Sequence, residues 1–153
     1  MKPLIILIAV FGLGCLITLA FQNHVNWQLS GLIAMAAMLI FTSIAHFMFW
    51  KGIQLMLPQN LPYKKAIVYL TGIIEILAAI GLLIPHTVQI TGVLLIIFFI
   101  LITPSNIKAA KQHVNLEKAD YTGYGISYLW FRIPLQLFFI SWIYFFSIYS
   151  NRY

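Results

Sequence analysis

Few side chains in this sequence can do chemistry, and the ones that can lie in or beside long apolar runs. Glu75 and Arg132 sit well inside such runs, and His46 lies near the end of another. Burying an ionisable group in a bilayer costs about 2.5–3.5 kcal/mol on insertion scales, so each of the three needs a reason. A carboxylate and an imidazole can take and give a proton, whereas a guanidinium stays protonated and offers a fork of donors to an oxygen ligand. Neutral polar residues accompany them at helical spacing. Tyr128, Arg132 and Gln136 follow at four-residue intervals and share one helix face. Thr71 and Glu75 share another with Ala79, and Thr42 shares a third with His46. Asn106 follows a fourth apolar run. These positions make Glu75 and His46 the candidate catalytic residues. Arg132, Gln136, Asn106, Tyr128 and Thr71 are the candidate ligand-binding residues. Two bland readings compete: Glu75 and Arg132 form a buried ion pair that only fixes packing, or Arg132 snorkels to the headgroups.

The elements that must position these groups follow from composition. The chain has 153 residues, of which 62% are apolar and 8% charged. A soluble domain carries about 25% charged residues. So few charges cannot cover a surface in water, which excludes an ordinary soluble enzyme, a disordered tail and a coiled coil. The expected fold is all-α, a polytopic membrane helix bundle in a single domain spanning residues 1–153. A membrane-crossing helix needs about 20 mainly apolar residues. Five stretches serve: Leu4–Phe21, Leu29–Trp50, Ala66–Ile84, Val88–Thr103 and about Ile126–Ile148. Residues 104–125 read as a long cytoplasmic loop whose start can form a short interfacial helix. Lys2 ahead of the first run also fits a cleavable signal peptide, but that run is long for one, and a retained helix is the reading adopted.

The loops set an orientation. Lys2, Lys51, Lys64, Lys65, Lys108, Lys111 and Lys118 fall on one side of a five-helix arrangement, and Arg152 on the other. Membrane proteins collect Lys and Arg on cytoplasmic loops, so the N-terminus is expected in the cytoplasm and the C-terminus outside, in a bacterial inner membrane. The same rule accounts for the net charge of +6 without nucleic acid as a partner. On this topology Glu75 lies about 13 Å deep at 1.5 Å per residue. His46, Asn106 and Arg132 fall in the same half, and a polar pocket between the second, third and fifth helices is the expected outcome. Cys15 is a single thiol, so dithiol chemistry within the chain is excluded. His24, His46, His86 and His113 lack metal-ligand spacing, and no Gly-rich phosphate loop is present.

The order of these motifs resembles the DoxX-like membrane protein family. His46-Phe47 is followed by Leu57-Pro58 and Leu61-Pro62, then Thr71-Gly72-Ile73-Ile74-Glu75 and Gly81-Leu82-Leu83-Ile84-Pro85. Thr103-Pro104-Ser105-Asn106-Ile107 and Arg132-Ile133-Pro134-Leu135-Gln136 complete the set. Pro104-Ser105-Asn106 stands where many relatives have Pro-Ala-Asn. The resemblance covers about residues 30–148 and implies a four-helix core, to which the first run adds one N-terminal transmembrane helix. It also implies a membrane subunit or accessory of a quinone-linked oxidoreductase system, since named relatives include such a subunit. A quinone would be the lipophilic ligand, with Arg132 and Gln136 donating to its carbonyl and Glu75 or His46 relaying a proton. Electrons would come from an oxidoreductase partner protein. The residues alone leave the cofactor and catalysis itself open, and they fit two alternatives. One is a non-catalytic assembly or scaffold protein with a structural Glu–Arg pair. The other is a small-solute transporter, which would need an oligomer to form a path.

Overall fold

The computed structural model describes residues 2–58, 61–123 and 125–150, with the side chains of Gln22 and Tyr128 excepted. The described residues form six α-helices: α1 (Lys2–Gln22), α2 (Trp27–Met48), α3 (Trp50–Met56), α4 (Lys64–Leu83), α5 (Val88–Lys111) and α6 (Ile126–Ile143). A π-helical turn, Tyr144–Tyr149, continues α6. Five helical segments are long and apolar enough to cross a membrane, with mean hydropathy between 1.5 and 2.9. Such helices satisfy their own backbone hydrogen bonds, which hydrocarbon cannot do for them.

Local chemistry fixes the helix ends. Asn26 caps α2 by accepting the Leu29 amide at 3.0 Å. Pro62 and a left-handed Tyr63 (φ 52°) precede α4 and turn the chain into it. Pro85-His86-Thr87 reverses the chain between α4 and α5, where Thr87 Oγ1 donates to the Gly81 carbonyl at 2.8 Å. The chain therefore reverses from α1 to α2, and again through α4, α5 and α6. The start of α1, the end of α2, all of α3, the start of α4 and the end of α5 gather at one end. The Lys2–Glu117 ion pair at 3.1 Å and a bond from Lys108 Nζ to the Leu57 carbonyl tie that end together. All seven lysines lie there. Arg152, the expected opposite-side cation, is outside the described residues, as are Gln59, Asn60 and Tyr124.

Helices α2, α4, α5 and α6 pack around one core, and α1 lies along α2. Leu7 of α1 is fully buried, and Phe11 meets Trp142 edge to face at 4.9 Å between centroids. The core is densest away from the lysines, where Met35, Leu39, Leu82, Leu95 and Ile143 are almost wholly buried. Close approach there depends on glycine. A Cβ on Gly92 would lie 2.0 Å from Ser147 Oγ, and one on Gly31 would lie 2.4 Å from the Phe146 ring.

Three element boundaries differ from the sequence expectation. The second apolar run does not continue to Trp50. It breaks at Phe49, and α3 follows as a separate short helix. Residues 104–111, expected to be loop or interfacial helix, are the last two turns of α5, which runs straight through Pro104. The final run is not uniformly α-helical, because its last six residues are π-helical.

Candidate functional site

Gly72 brings α2 and α4 together. A Cβ there would sit 3.0 Å from His46 Cβ, and Ser43 Oγ reaches across to donate to the Gly72 carbonyl at 2.8 Å. Glu75 lies one turn further along α4. Its Oε1 is 3.5 Å from His46 Nε2, and the side chain is 5% exposed. His46 Nδ1 in turn lies 3.0 Å from Thr71 Oγ1.

Thr71 Oγ1 also lies 2.8 Å from the Val68 carbonyl, to which it can donate. It accepts from His46 Nδ1–H in one imidazole tautomer and donates to Nδ1 in the other. His46 Nε2 faces Glu75 Oε1. Oε2 is buried and has no hydrogen-bond partner. A buried polar atom in that state is rare and calls for a cause.

The second half of the site comes from α5 and α6. Gln136 Nε2 donates to Thr103 Oγ1 at 2.9 Å and to the Phe99 carbonyl. Asn106 Nδ2 donates to Gln136 Oε1 at 3.4 Å. Thr103 Oγ1 also donates to the Phe99 carbonyl, at 2.9 Å. Pro104 has no amide hydrogen to offer the Ile100 carbonyl, so the α5 ladder is interrupted here. Side chains from α5 and α6 supply hydrogen bonds around that interruption, as intramembrane prolines require. Helix α5 continues past Pro104 and carries Asn106 on a helix rather than on a loop.

These groups surround connected space. An inner chamber of about 150 Å³ is lined by Glu75, His46, Thr42, Asn106, Arg132 and Gln136, with Phe99, Phe131 and Phe139 among its apolar walls. A larger chamber of about 380 Å³ shares Thr42, His46, Ile102, Asn106 and Arg132 with it and reaches Lys2 and Glu117 at the lysine-rich end. A third space of about 330 Å³ lies under the loop around Asn115, Leu116 and Gly123. Asn106 and Arg132 border all three. Outside the bundle, Asp120 orders that loop. Thr122 donates to its carboxylate from Oγ1 at 2.6 Å and from its amide at 3.0 Å, which holds the carboxyl below its ordinary value of 3.8.

The structure thus brings Thr71, His46 and Glu75 into one line of polar contacts and Asn106 and Gln136 into a hydrogen-bonded pair, with Arg132 bordering the chambers. His46 faces Glu75 at 3.5 Å. Gln136 lines the inner chamber and has protein partners at both its amide nitrogen and its oxygen, which join α6 to α5. Tyr128 lies in α6, and its side chain is outside the described residues. Thr103 was not picked out from the sequence, although its spacing of four from Phe99 and three from Asn106 places it beside them. The chamber wall of Phe98 and Ile102 is legible only once α5 is known to reach Asn106. Among the described residues there is no group of three or more His, Cys, Asp or Glu able to hold a metal ion.

By length and composition the helices are those of a polytopic membrane protein, with partly polar chambers toward one end. Residues 35–147 match a domain of unknown function, DUF8561, and the chain belongs to that family. No curated protein and no solved structure matches it.

Proposed function

We propose that this protein is a small DoxX-like membrane subunit or accessory of a quinone-linked oxidoreductase system, and that its chambers bind a lipophilic, ring-bearing ligand of the quinone–quinol class. The lysine-rich end would face the cytoplasm, in keeping with the distribution of basic residues. One observation carries the reading: Glu75 Oε2 is buried without a partner, on a residue that lines an internal chamber. A carboxylate retained only for packing would have its oxygens satisfied by the protein. The aromatic walls suit a ring, and the larger chamber gives room for substituents. The His46–Glu75 axis supplies a proton acceptor or donor beside it, and Arg132 a fixed positive charge. The ordered motifs from His46 to Gln136 add the DoxX-like resemblance, from which the quinone class and an electron-transferring partner protein are taken.

Native mass spectrometry on protein released gently from its own membrane tests this. The expected spectrum carries a ring-bearing lipid that is lost in the Arg132→Ala variant. A stoichiometric protein partner with no small molecule would favour a scaffold role instead.

A further inference from the structure

We infer that the inner chamber selects a ligand that offers a hydroxyl hydrogen, so that within the proposed class it takes the phenolic, hydroquinone form rather than the quinone. The inference rests on the reading under Proposed function and specifies which ligand form the chamber at Glu75 prefers. Its basis is the assignment of donors and acceptors around the chamber. Thr71 Oγ1 has the Val68 carbonyl and His46 Nδ1 as partners, and His46 Nε2 faces Glu75 Oε1. Gln136 is held by Phe99, Thr103 and Asn106, so its amide hydrogens are not available to a ligand carbonyl. The unpartnered buried atom on the chamber's lining residues is Glu75 Oε2, which as a carboxylate oxygen accepts. A quinone carbonyl is also an acceptor, and two acceptors facing each other in a buried space repel. A phenolic O–H satisfies Oε2 directly.

Size agrees with a single ring. An apolar cavity of about 150 Å³ holds one benzene molecule, and the inner chamber is about 150 Å³ with Phe99, Phe131 and Phe139 in its wall. A second oxygen on the opposite side of the ring would point toward the larger chamber, where Arg132 and Asn106 stand on the shared border. An alkyl substituent would run along Phe41, Phe98 and Ile102. The charged and titratable groups bordering the two chambers are His46 from α2, Glu75 from α4, Arg132 from α6, and Lys2 and Glu117 at the mouth.

The test measures binding of three probes to the full chain in lipid nanodiscs: para-octylphenol, its methyl ether, and octyl-para-benzoquinone. They share ring and tail and differ in the donor. The phenol is expected to bind at least about tenfold more tightly than the other two, the factor that corresponds to about 1.4 kcal/mol. In Glu75→Leu that preference should vanish while the ether keeps its affinity, which also reports that the chamber is intact. Should that variant fail to fold, labelling of the unaltered protein by dicyclohexylcarbodiimide replaces it: the phenol should protect Glu75 and the ether should not. Equal or tighter binding of quinone or ether overturns the inference and leaves the Proposed function standing. A phenol preference that survives Glu75→Leu, or no protection of Glu75, overturns the assignment to Oε2. Absence of binding by all three probes overturns the ring-ligand reading itself.

Discussion

Gln136→Leu separates a positioning role from a ligand-binding one. The side chain is buried, with 8% of the residue exposed. It joins α6 to α5 through Thr103 Oγ1 at 2.9 Å, the Phe99 carbonyl, and Asn106 Nδ2 at 3.4 Å. Leucine keeps most of the volume and removes all three bonds. Hydrogen bonds between membrane helices average about 0.6 kcal/mol and reach about 1.7. The 3.4 Å contact is long and counts for little. Phe99 keeps Thr103 Oγ1 as a donor, so its carbonyl is not orphaned. Two effective bonds then give a loss of about 1–3 kcal/mol. For a chain of this size each kcal/mol moves the melting temperature by about 2–4 °C, so a fall of about 2–12 °C is expected by circular dichroism in a mild detergent. The double variant with Thr103→Val should lose less than the sum of the two single variants, because both share one contact. An unchanged melting temperature, with additive effects, would refute the claim that Gln136 is held by α5.

Gly92→Val should destabilise more strongly than a typical surface change, by about 1–3 kcal/mol from overpacking, since the new Cβ meets Ser147 Oγ at 2.0 Å; thermal melts of this variant and of a paired Gly92→Val/Ser147→Gly variant check it, with partial rescue expected in the pair. His46→Leu removes the group facing Glu75 Oε1 and the hydrogen-bond partner of Thr71, so a loss of about 1–3 kcal/mol is expected, read by the same melts. Lys2→Ala should leave the melting temperature unchanged, because the Lys2–Glu117 pair has side chains 74% and 64% exposed and exposed pairs contribute little. Asp120 has its pKa depressed by the Thr122 hydroxyl and amide and then by Lys118. Its contribution to loop order is therefore present above the ordinary carboxylate value and lost as pH falls through the depressed one. A carbon-detected NMR titration should show Thr122→Val moving the Asp120 pKa upward.

The parts of the fold that depend on composition were legible in the sequence, and the parts that depend on a partner helix were not. Five apolar windows are enough to place five helices, and the basic residues were enough to group their ends. The break at Phe49 has no Gly or Pro to announce it. The passage of α5 through Pro104 was hidden for a sharper reason. A proline after an apolar run reads as a stop, yet α5 continues through it, with Thr103 and Gln136 hydrogen-bonded to each other beside the interrupted turn. The π-helical turn likewise depends on a tertiary fit, with Ser147 seated against Gly92 and Phe146 against Gly31.

The same division runs through the site. Four-residue spacing set Thr71 on the same helix face as Glu75, because helix periodicity fixes which face a side chain occupies, whereas the approach of His46 from α2 depends on how the helices pack. Spacing cannot say which oxygen a side chain bonds. Gln136 shares a face with Arg132, yet its amide turns to α5 while Arg132 borders the chambers. The difference matters for function, because it removes a donor from the ligand inventory and leaves an acceptor. Polarity is also confined along the bundle axis. Away from the lysines, Met35, Leu82, Leu95 and Ile143 fill the core, and Thr18, Ser30 and Ser147 are the buried polar residues among those described there. Toward the lysines, His46, Asn106 and Arg132 border continuous space that reaches Lys2 and Glu117. A chamber with its polar access at one end suits a protein that receives a ligand and exchanges a proton on a single side.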